Sequence, residues 1–219
     1  KTVPGKNIKL LAGKPLLQYT VDVAKASKYL SKLILSSDDD AIINVANQLN
    51  LEVPFKRPSD LAEDNSPTLP VIQHALNFYK DQGIHFDAVC LLQVTSPFKT
   101  TKFIDNAIER FIESNADALV SVKKVPDEYN PHWTFKANDN DCLELSTGED
   151  KIISRRQDLP SAYHRDGIIY LTKTKVLLEQ NSLYGNTLAY IESPSNLNVN
   201  IDTMEDWEKA EDYLKNNPL

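Results

Sequence analysis

A chain of 219 residues, 41% hydrophobic and 25% charged, has enough material for one α/β domain with a sizeable core and room for a small insertion. A net charge of −7 with no basic stripe excludes a general nucleic-acid binder, and no run of about eighteen apolar residues offers a membrane span. Cys90 and Cys142 stand outside any C-x-x-C pairing, so both read as reduced thiols of a cytoplasmic protein. No signal-peptide pattern opens the chain, and its start at Lys1 without an initiator Met raises the expectation of residues upstream.

Residues 1–7 (KTVPGKN) place Lys1 and Lys6 on either side of a Pro4–Gly5 turn, so both ammonium groups can approach one polyphosphate. The next segment, NIKLLAGKPLLQYTVDVAKAS, predicts a helix in which Leu16, Leu17, Tyr19, Thr20, Val21, Val23 and Ala24 recur at helical spacing. A loop that feeds a helix is a natural anion site. Short β-branched runs then predict strands at 32–35, 51–53, 88–92 and 118–122, separated by amphipathic helices at 40–50, 69–82 and 101–114. Such βαβ units, with strands apolar on both sides, imply a doubly wound, mostly parallel α/β sheet. Ligands of these sheets sit at the carboxyl ends of strands, which singles out Ser36, Ser37, Asp38, Arg57, Gln93, Thr95 and Ser96.

The alternation breaks after Val125. Residues 126–165 are rich in Pro, Asn, Asp and aromatic side chains, with a strand-like TFKA and no long helix, and read as an inserted lobe within a catalytic domain formed by 1–125 and 166–219. The domain resumes with a buried strand at 167–172 and another at 188–191, and closes with a helix at 203–214 opened by Thr203 with Asp206 three residues on.

Six segments in this order (KTVPGKNIKLLAGKPLL, LSSDDDAI, KRPSDLAEDNSPT, LLQVTSPFKT, SRRQDLPSAYHRDGIIYL and NVNIDTMEDWEKAE) resemble the acylneuraminate cytidylyltransferases. The resemblance spans nearly the whole chain. It implies a Rossmann-like nucleotidyltransferase that joins CTP to a nonulosonic acid, giving the CMP-sugar and pyrophosphate with Mg2+, and an N-terminal strand and fuller phosphate loop ahead of Lys1. It further implies that Lys1, Lys6 and Asp202 are catalytic, that Lys1 and Lys6 hold the triphosphate, and that Asn7, Arg57 and Thr68 bind the nucleotide. Gln93 takes the sugar, and Tyr170, Leu183 and Tyr184 its acyl substituent. In the family the lobe swaps across a homodimer, so Arg156, with His164 and Arg165 beside it, is expected to reach the partner's site.

Each assignment has a plainer counterpart in the residues themselves. Arg57 suits a surface ion pair with Asp60 or Asp64; Gln93 can satisfy buried backbone groups; Tyr170, Leu183 and Tyr184 suit core packing. Asp202 is also well placed as a helix N-terminal acid, and Arg156 as part of a solvated basic patch balancing Glu149 and Asp150. Trp133 and Tyr129 are interface anchors or the lobe's own core. The chain departs from the family where a D-x-D is common: it has Asn200, Ile201 and Asp202, leaving Asp202 as the principal metal ligand and Asn200 as a second oxygen donor. It also carries Asp166 where Asn is frequent, which leaves the preferred sugar open. Two alternatives stand beside this reading. One is a Kdo-type cytidylyltransferase, disfavoured because Gln93 is followed by Val94, Thr95, Ser96 and Pro97 rather than an acidic Q-G-D-E-P pattern; the other is a non-catalytic nucleotide-sugar-binding homologue.

Overall fold

The computed structural model describes residues 3–63, 65–194 and 199–217. The chain divides into two units, Lys1–Ser121 with Gly167–Leu219, and Val122–Asp166. In the first, a hairpin of β1 (Leu10–Leu11) and β2 (Lys14–Pro15) leads into α1 (Leu16–Lys25). The apolar stripe of α1 is buried, and Tyr19 Oη donates to Leu11 O at 2.7 Å, tying helix to hairpin. α2 (Asp40–Gln48) begins where the Asp39 carboxylate accepts the N–H groups of Ala41 and Ile42, which the helix leaves without partners.

Between α1 and α2, and again after α2, the segments expected as strands are less regular than their composition suggests. They meet through isolated parallel bridges, Ile34 to Glu52 and Ser37 to Lys56, with Leu35 N–H donating to Glu52 O and Arg57 N–H to Ser37 O, each at 2.9 Å. Pro54 has no N–H to donate, so a continuous ladder cannot run through it. α3 (Thr68–Lys80) buries Ile72, Leu76 and Tyr79; β3 (Ala88–Leu92) follows. α4 (Thr101–Ser114) is capped by Thr100, whose hydroxyl accepts from Phe103 N–H at 3.2 Å, and stops where Asn115 turns left-handed at φ 49°. β4 (Ala118–Lys124) has its first five residues buried, as a strand covered on both faces requires.

The second unit contains the hairpin β5 (Phe135–Ala137) with β6 (Leu143–Leu145). Its organisation is carried by polar contacts more than by apolar area. Trp133 Nε1 donates to Ile153 O at 2.6 Å, the buried Asn130 amide donates to Pro160 O at 2.9 Å, and His132 pairs with Glu149 at 2.7 Å. Tyr129 is exposed.

β7 (Tyr163–Lys173), α5 (Thr174–Glu179), β8 (Leu188–Glu192) and α6 (Met204–Asn216) complete the chain. One sheet has the order β3-β7-β4-β8, and β7 runs antiparallel to β3 in a register from Ala88 opposite Lys173 to Leu92 opposite Ile169. The sheet is therefore mixed: the chain reaches β7 through the 122–166 unit, not through the helical crossover that keeps successive strands parallel. Buried Ser121 accepts Ile169 N–H at 3.0 Å, adding a side-chain tie between β4 and β7. On this sheet α4 lays Phe103, Ile104, Ala107, Ile108 and Phe111 against Leu119, Ile168, Ile169 and Leu171; full burial of each large side chain contributes about 1.5–3 kcal/mol. A second cluster joins Val3, Leu11, Leu16, Tyr19, Phe98, Ile201, Trp207, Ala210 and Leu214. It packs the start of the chain, the β3–α4 loop and the approach to α6 into one body.

Candidate active site

Three loops converge on that second cluster. In the first, Gly5 lies at φ 61°, ψ 20°, a left-handed conformation that costs glycine little, and its carbonyl accepts from Ile8 N–H and Lys9 N–H, each at 3.0 Å. Lys6 and Asn7 leave this turn toward a cavity of about 1340 Å3. Lys6 Nζ donates to Ile201 O at 2.8 Å and pairs with Asp202 Oδ1 at 3.0 Å. Lys9 Nζ stands 4.6 Å from the Trp207 ring centroid, a cation–π contact that holds the same turn to α6.

The second loop follows β3. Gln93 lies at the strand end and lines the cavity. Thr95 O accepts Ile201 N–H at 2.8 Å, so the third loop, which carries Asp202, is hung from the second by a backbone bond. Past Ile201, Asp206 Oδ2 accepts from Asp202 N–H (3.1 Å), Thr203 N–H (2.8 Å) and Thr203 Oγ1 (2.8 Å), while Asp206 N–H returns a bond to Thr203 Oγ1 (3.2 Å). This capping box fixes where α6 begins and therefore where Asp202 stands. Hydrogen bonds from the Thr203 side chain and from the backbones of Thr203 and Asp202 hold the Asp206 carboxyl below the usual carboxylate range.

Lys6, Asn7, Arg57, Thr68, Gln93 and Asp202 all line this one cavity. Arg57 pairs with Asp38 at 3.0 Å, not with Asp60, because its backbone is bridged to Ser37 and the side chain meets the residue next along. Its Nε and the hydroxyl of Ser36, both on the cavity wall, are buried without a hydrogen-bond partner. Buried polar atoms in that condition are rare and suit a polar ligand.

The other expected site residues lie elsewhere. Tyr170, Leu183 and Tyr184 are not on the cavity wall: Tyr170 is buried in β7, Leu183 packs with Ile72, Leu76 and Leu177 and its carbonyl accepts Thr172 Oγ1 at 2.7 Å, and Tyr184 N–H donates to Ser182 Oγ at 3.1 Å. Of the three, Leu183 is part of an apolar cluster, the plainer counterpart to the acyl-binding role that the resemblance implies. Arg156 belongs to the second unit and is ion-paired with Asp127. Lys1 lies outside the described residues. Asn200 Nδ2 donates to Asp202 Oδ2 at 2.5 Å. Among the described residues no group of three or more His, Cys, Asp or Glu side chains is gathered for a metal ion; a cation at Asp202 would meet its carboxylate with the Asn200 amide beside it. That set fits Mg2+, which takes one or two carboxylates and fills its remaining positions with phosphate oxygens and water.

Two residues that the sequence does not single out shape this site. Lys99, 2% exposed, donates to Gln93 O (2.8 Å), Ser96 O (2.5 Å) and Thr20 Oγ1 (3.0 Å). Burial pushes its pKa down to about 7, and burial pushes that of the nearby Cys90 thiol up to about 12. Gly167 lies at φ 81°, and a Cβ there would stand 3.1 Å from Gln93 Oε1. Its missing side chain makes room for the Gln93 amide.

A model of the cytidylyltransferase family matches residues 1–217. The chain is 33% identical to the pseudaminic acid cytidylyltransferase of Campylobacter jejuni, covering 99% of this chain and 92% of that protein. It is 30% identical to the CMP-N,N'-diacetyllegionaminic acid synthase of Legionella pneumophila, over 99% and 92% of the two chains. Among solved structures, a CMP:2-keto-3-deoxy-manno-octonic acid synthetase complexed with CTP superposes with a TM-score of 0.71 at 13% identity, covering 99% of this chain and 94% of that one, a likeness of fold.

Replacing Gly167 by Ala is expected to destabilise the protein by about 1–3 kcal/mol through its left-handed backbone, with a further cost from the crowded Gln93 amide. Denaturant unfolding of Gly167→Ala, Gln93→Ala and the double variant measures this. Trimming Gln93 should recover part of the loss, and strict additivity of the two substitutions would show that the contact carries nothing.

Proposed function

This chain belongs to the cytidylyltransferase family, and from that premise we propose that it activates a nonulosonic acid with CTP, releasing pyrophosphate and forming the CMP-sugar. The observation that carries the reading is the junction at the cavity, where Lys6, Gln93 and Asp202, remote in sequence, are joined through Thr95 and Ile201. The curated relatives support the substrate class, since those quoted above are named for pseudaminic and legionaminic acids. These two acids, rather than sialic acid, are the first substrates to test.

The anomeric hydroxyl of the sugar attacks the α-phosphorus of CTP. A C–O–P linkage forms, the bond between the α- and β-phosphates breaks, its electron pair leaves with pyrophosphate, and the hydroxyl proton passes to water. Such a reaction needs two anions oriented and the growing charge on phosphate neutralised. Lys6 brings a cation to the phosphates, Arg57, Ser36, Asn7 and Thr68 form the nucleotide end of the cavity, and the Gln93 amide meets the sugar hydroxyls. Asp202, with Asn200, would hold Mg2+, which when bound would neutralise charge on the triphosphate. Until substrate arrives, the Lys6–Asp202 pair keeps both groups at the cavity. The chain works as a homodimer in this reading, with Arg156 of each protomer meeting the sugar carboxylate in its partner.

Pyrophosphate release with CTP and Mg2+, run against pseudaminic, legionaminic, sialic and Kdo acids, is expected to require one of the first three. Release with Kdo alone would move the chain to the Kdo-type reading, and none with any acid would favour a non-catalytic homologue. Asp202→Ala is expected to lower kcat by about 100-fold or more while the protein stays folded; unchanged turnover and Mg2+ dependence would remove Asp202 from the mechanism. Activity per protomer should fall on dilution below the dimer's dissociation constant, and a fully active monomer would exclude the role of Arg156 in the partner's site.

A further inference from the structure

Lys99 is a lysine that the protein's surface never sees. Its ammonium is enclosed by three oxygens, the carbonyls of Gln93 and Ser96 at one end of its own loop and the hydroxyl of Thr20 on α1. Three donors meet three acceptors, so every N–H of the protonated amine is used. No carboxylate pairs with it among the described residues, and the Cys90 thiol, held high by burial, supplies no anion. A buried ammonium without a counter-ion is costly, so stability alone gives little reason for a lysine here; a well-packed apolar side chain of the same length would fill the space.

The position of the bonded carbonyls supplies a reason. Gln93 and Ser96 bracket Thr95, whose carbonyl holds Ile201 N–H, and Ile201 O holds Lys6 Nζ. The side chain of Gln93 leaves the same anchored residue and reaches past Gly167 along the cavity. We propose that Lys99 is a positioning residue: by clamping both ends of the 93–96 loop to α1, it sets the Gln93 amide for the acid substrate and, through Thr95 and Ile201, the Lys6–Asp202 pair for the transfer step. The assignment rests on the transfer reaction proposed above. The nucleoside end, formed by Asn7, Ser36, Arg57 and Thr68, makes none of these bonds to Lys99, so the clamp bears on CTP only at its triphosphate, through Lys6 and Asp202.

Lys99→Met keeps the length and removes all three donors. It is expected to raise the KM for the acid about 10- to 100-fold, the equivalent of one or two charge-assisted hydrogen bonds, and to lower kcat, with the Kd for CTP raised by a smaller factor because the nucleoside end is untouched. Lys99→Arg, which restores charge and donors, should recover most of the acid KM, a rescue that a merely space-filling role does not give. Thr20→Val removes the clamp's outer acceptor and leaves Lys99 in place; it should shift the acid KM the same way by a smaller factor, and it carries the test if Lys99→Met does not fold. Backbone hydrogen exchange needs no substrate: Ser96 and Ile201 N–H should exchange faster in Lys99→Met and in Thr20→Val than in the unmodified chain. Unchanged acid KM together with unchanged exchange at these two amides, in whichever variant folds, overturns the proposal. Faster exchange in a chain whose unmodified form releases no pyrophosphate with any acid would overturn the transfer reading and leave the clamp standing.

Discussion

The hydrogen bond from Ile201 N–H to Thr95 O, 2.8 Å long, is the joint on which the candidate site depends. Its donor residue is fully buried in the cluster that also contains Leu11, Phe98 and Trp207, and its carbonyl receives Lys6. One residue thus registers the turn after Gly5, the loop after β3 and the approach to α6 against one another. Around it, hydrophobic packing supplies position and hydrogen bonds supply direction. The cluster fixes the three loops within a few ångströms, while the capping box at Thr203, the Lys6–Asp202 pair and the Lys99 clamp aim individual side chains.

The electrostatics of this arrangement are local. A chain with net charge −7 does not draw a triphosphate by its overall field; cations must be held at the cavity itself. Lys6 and Arg57 are both kept there by carboxylates, Asp202 and Asp38. Those pairings hold flexible side chains in place and can be exchanged for phosphate contacts, because exposed or half-exposed ion pairs are worth only about 0–1 kcal/mol. Lys99 is different in kind: its partners are carbonyl and hydroxyl dipoles, it is sealed from solvent, and its hydrogen bonds act on the backbone of the loop.

Much of this was legible in the residues, and the parts that were not share a cause. Local signals located α4, an amphipathic run, and α6, where Thr203 and Asp206 form a box at fixed spacing. Gln93 is legible as a strand-end residue, Lys6 as a cation beside the Pro4–Gly5 turn, and Asp202 through the family resemblance. The strands at 32–35 and 51–53 were overread, since β-branched composition does not say whether a neighbour can pair past Pro54. Pairing carries β7 back to Tyr163 through His164, Arg165 and Asp166, polar residues that give no strand pattern. Tyr170 is buried in β7 and Leu183 packs with Ile72, Leu76 and Leu177, away from the cavity wall, a placement that the resemblance does not give. Lys99 and Gly167 escaped notice because a buried lysine and a left-handed glycine beside a glutamine amide are facts of tertiary placement. In SPFKT, Lys99 reads as one more exposed cation.

A crystal structure of the protein with CTP and Mg2+ would show whether one cavity built on the Thr95–Ile201 joint holds the reacting nucleotide. The triphosphate is expected within hydrogen-bond distance of Lys6, the metal on Asp202, and the nucleoside toward Arg57 and Thr68, with Gln93 facing the open side of the α-phosphate. CTP bound in a different cavity, or bound here with Lys6 and Asp202 still paired to each other and neither phosphate nor metal between them, would contradict it.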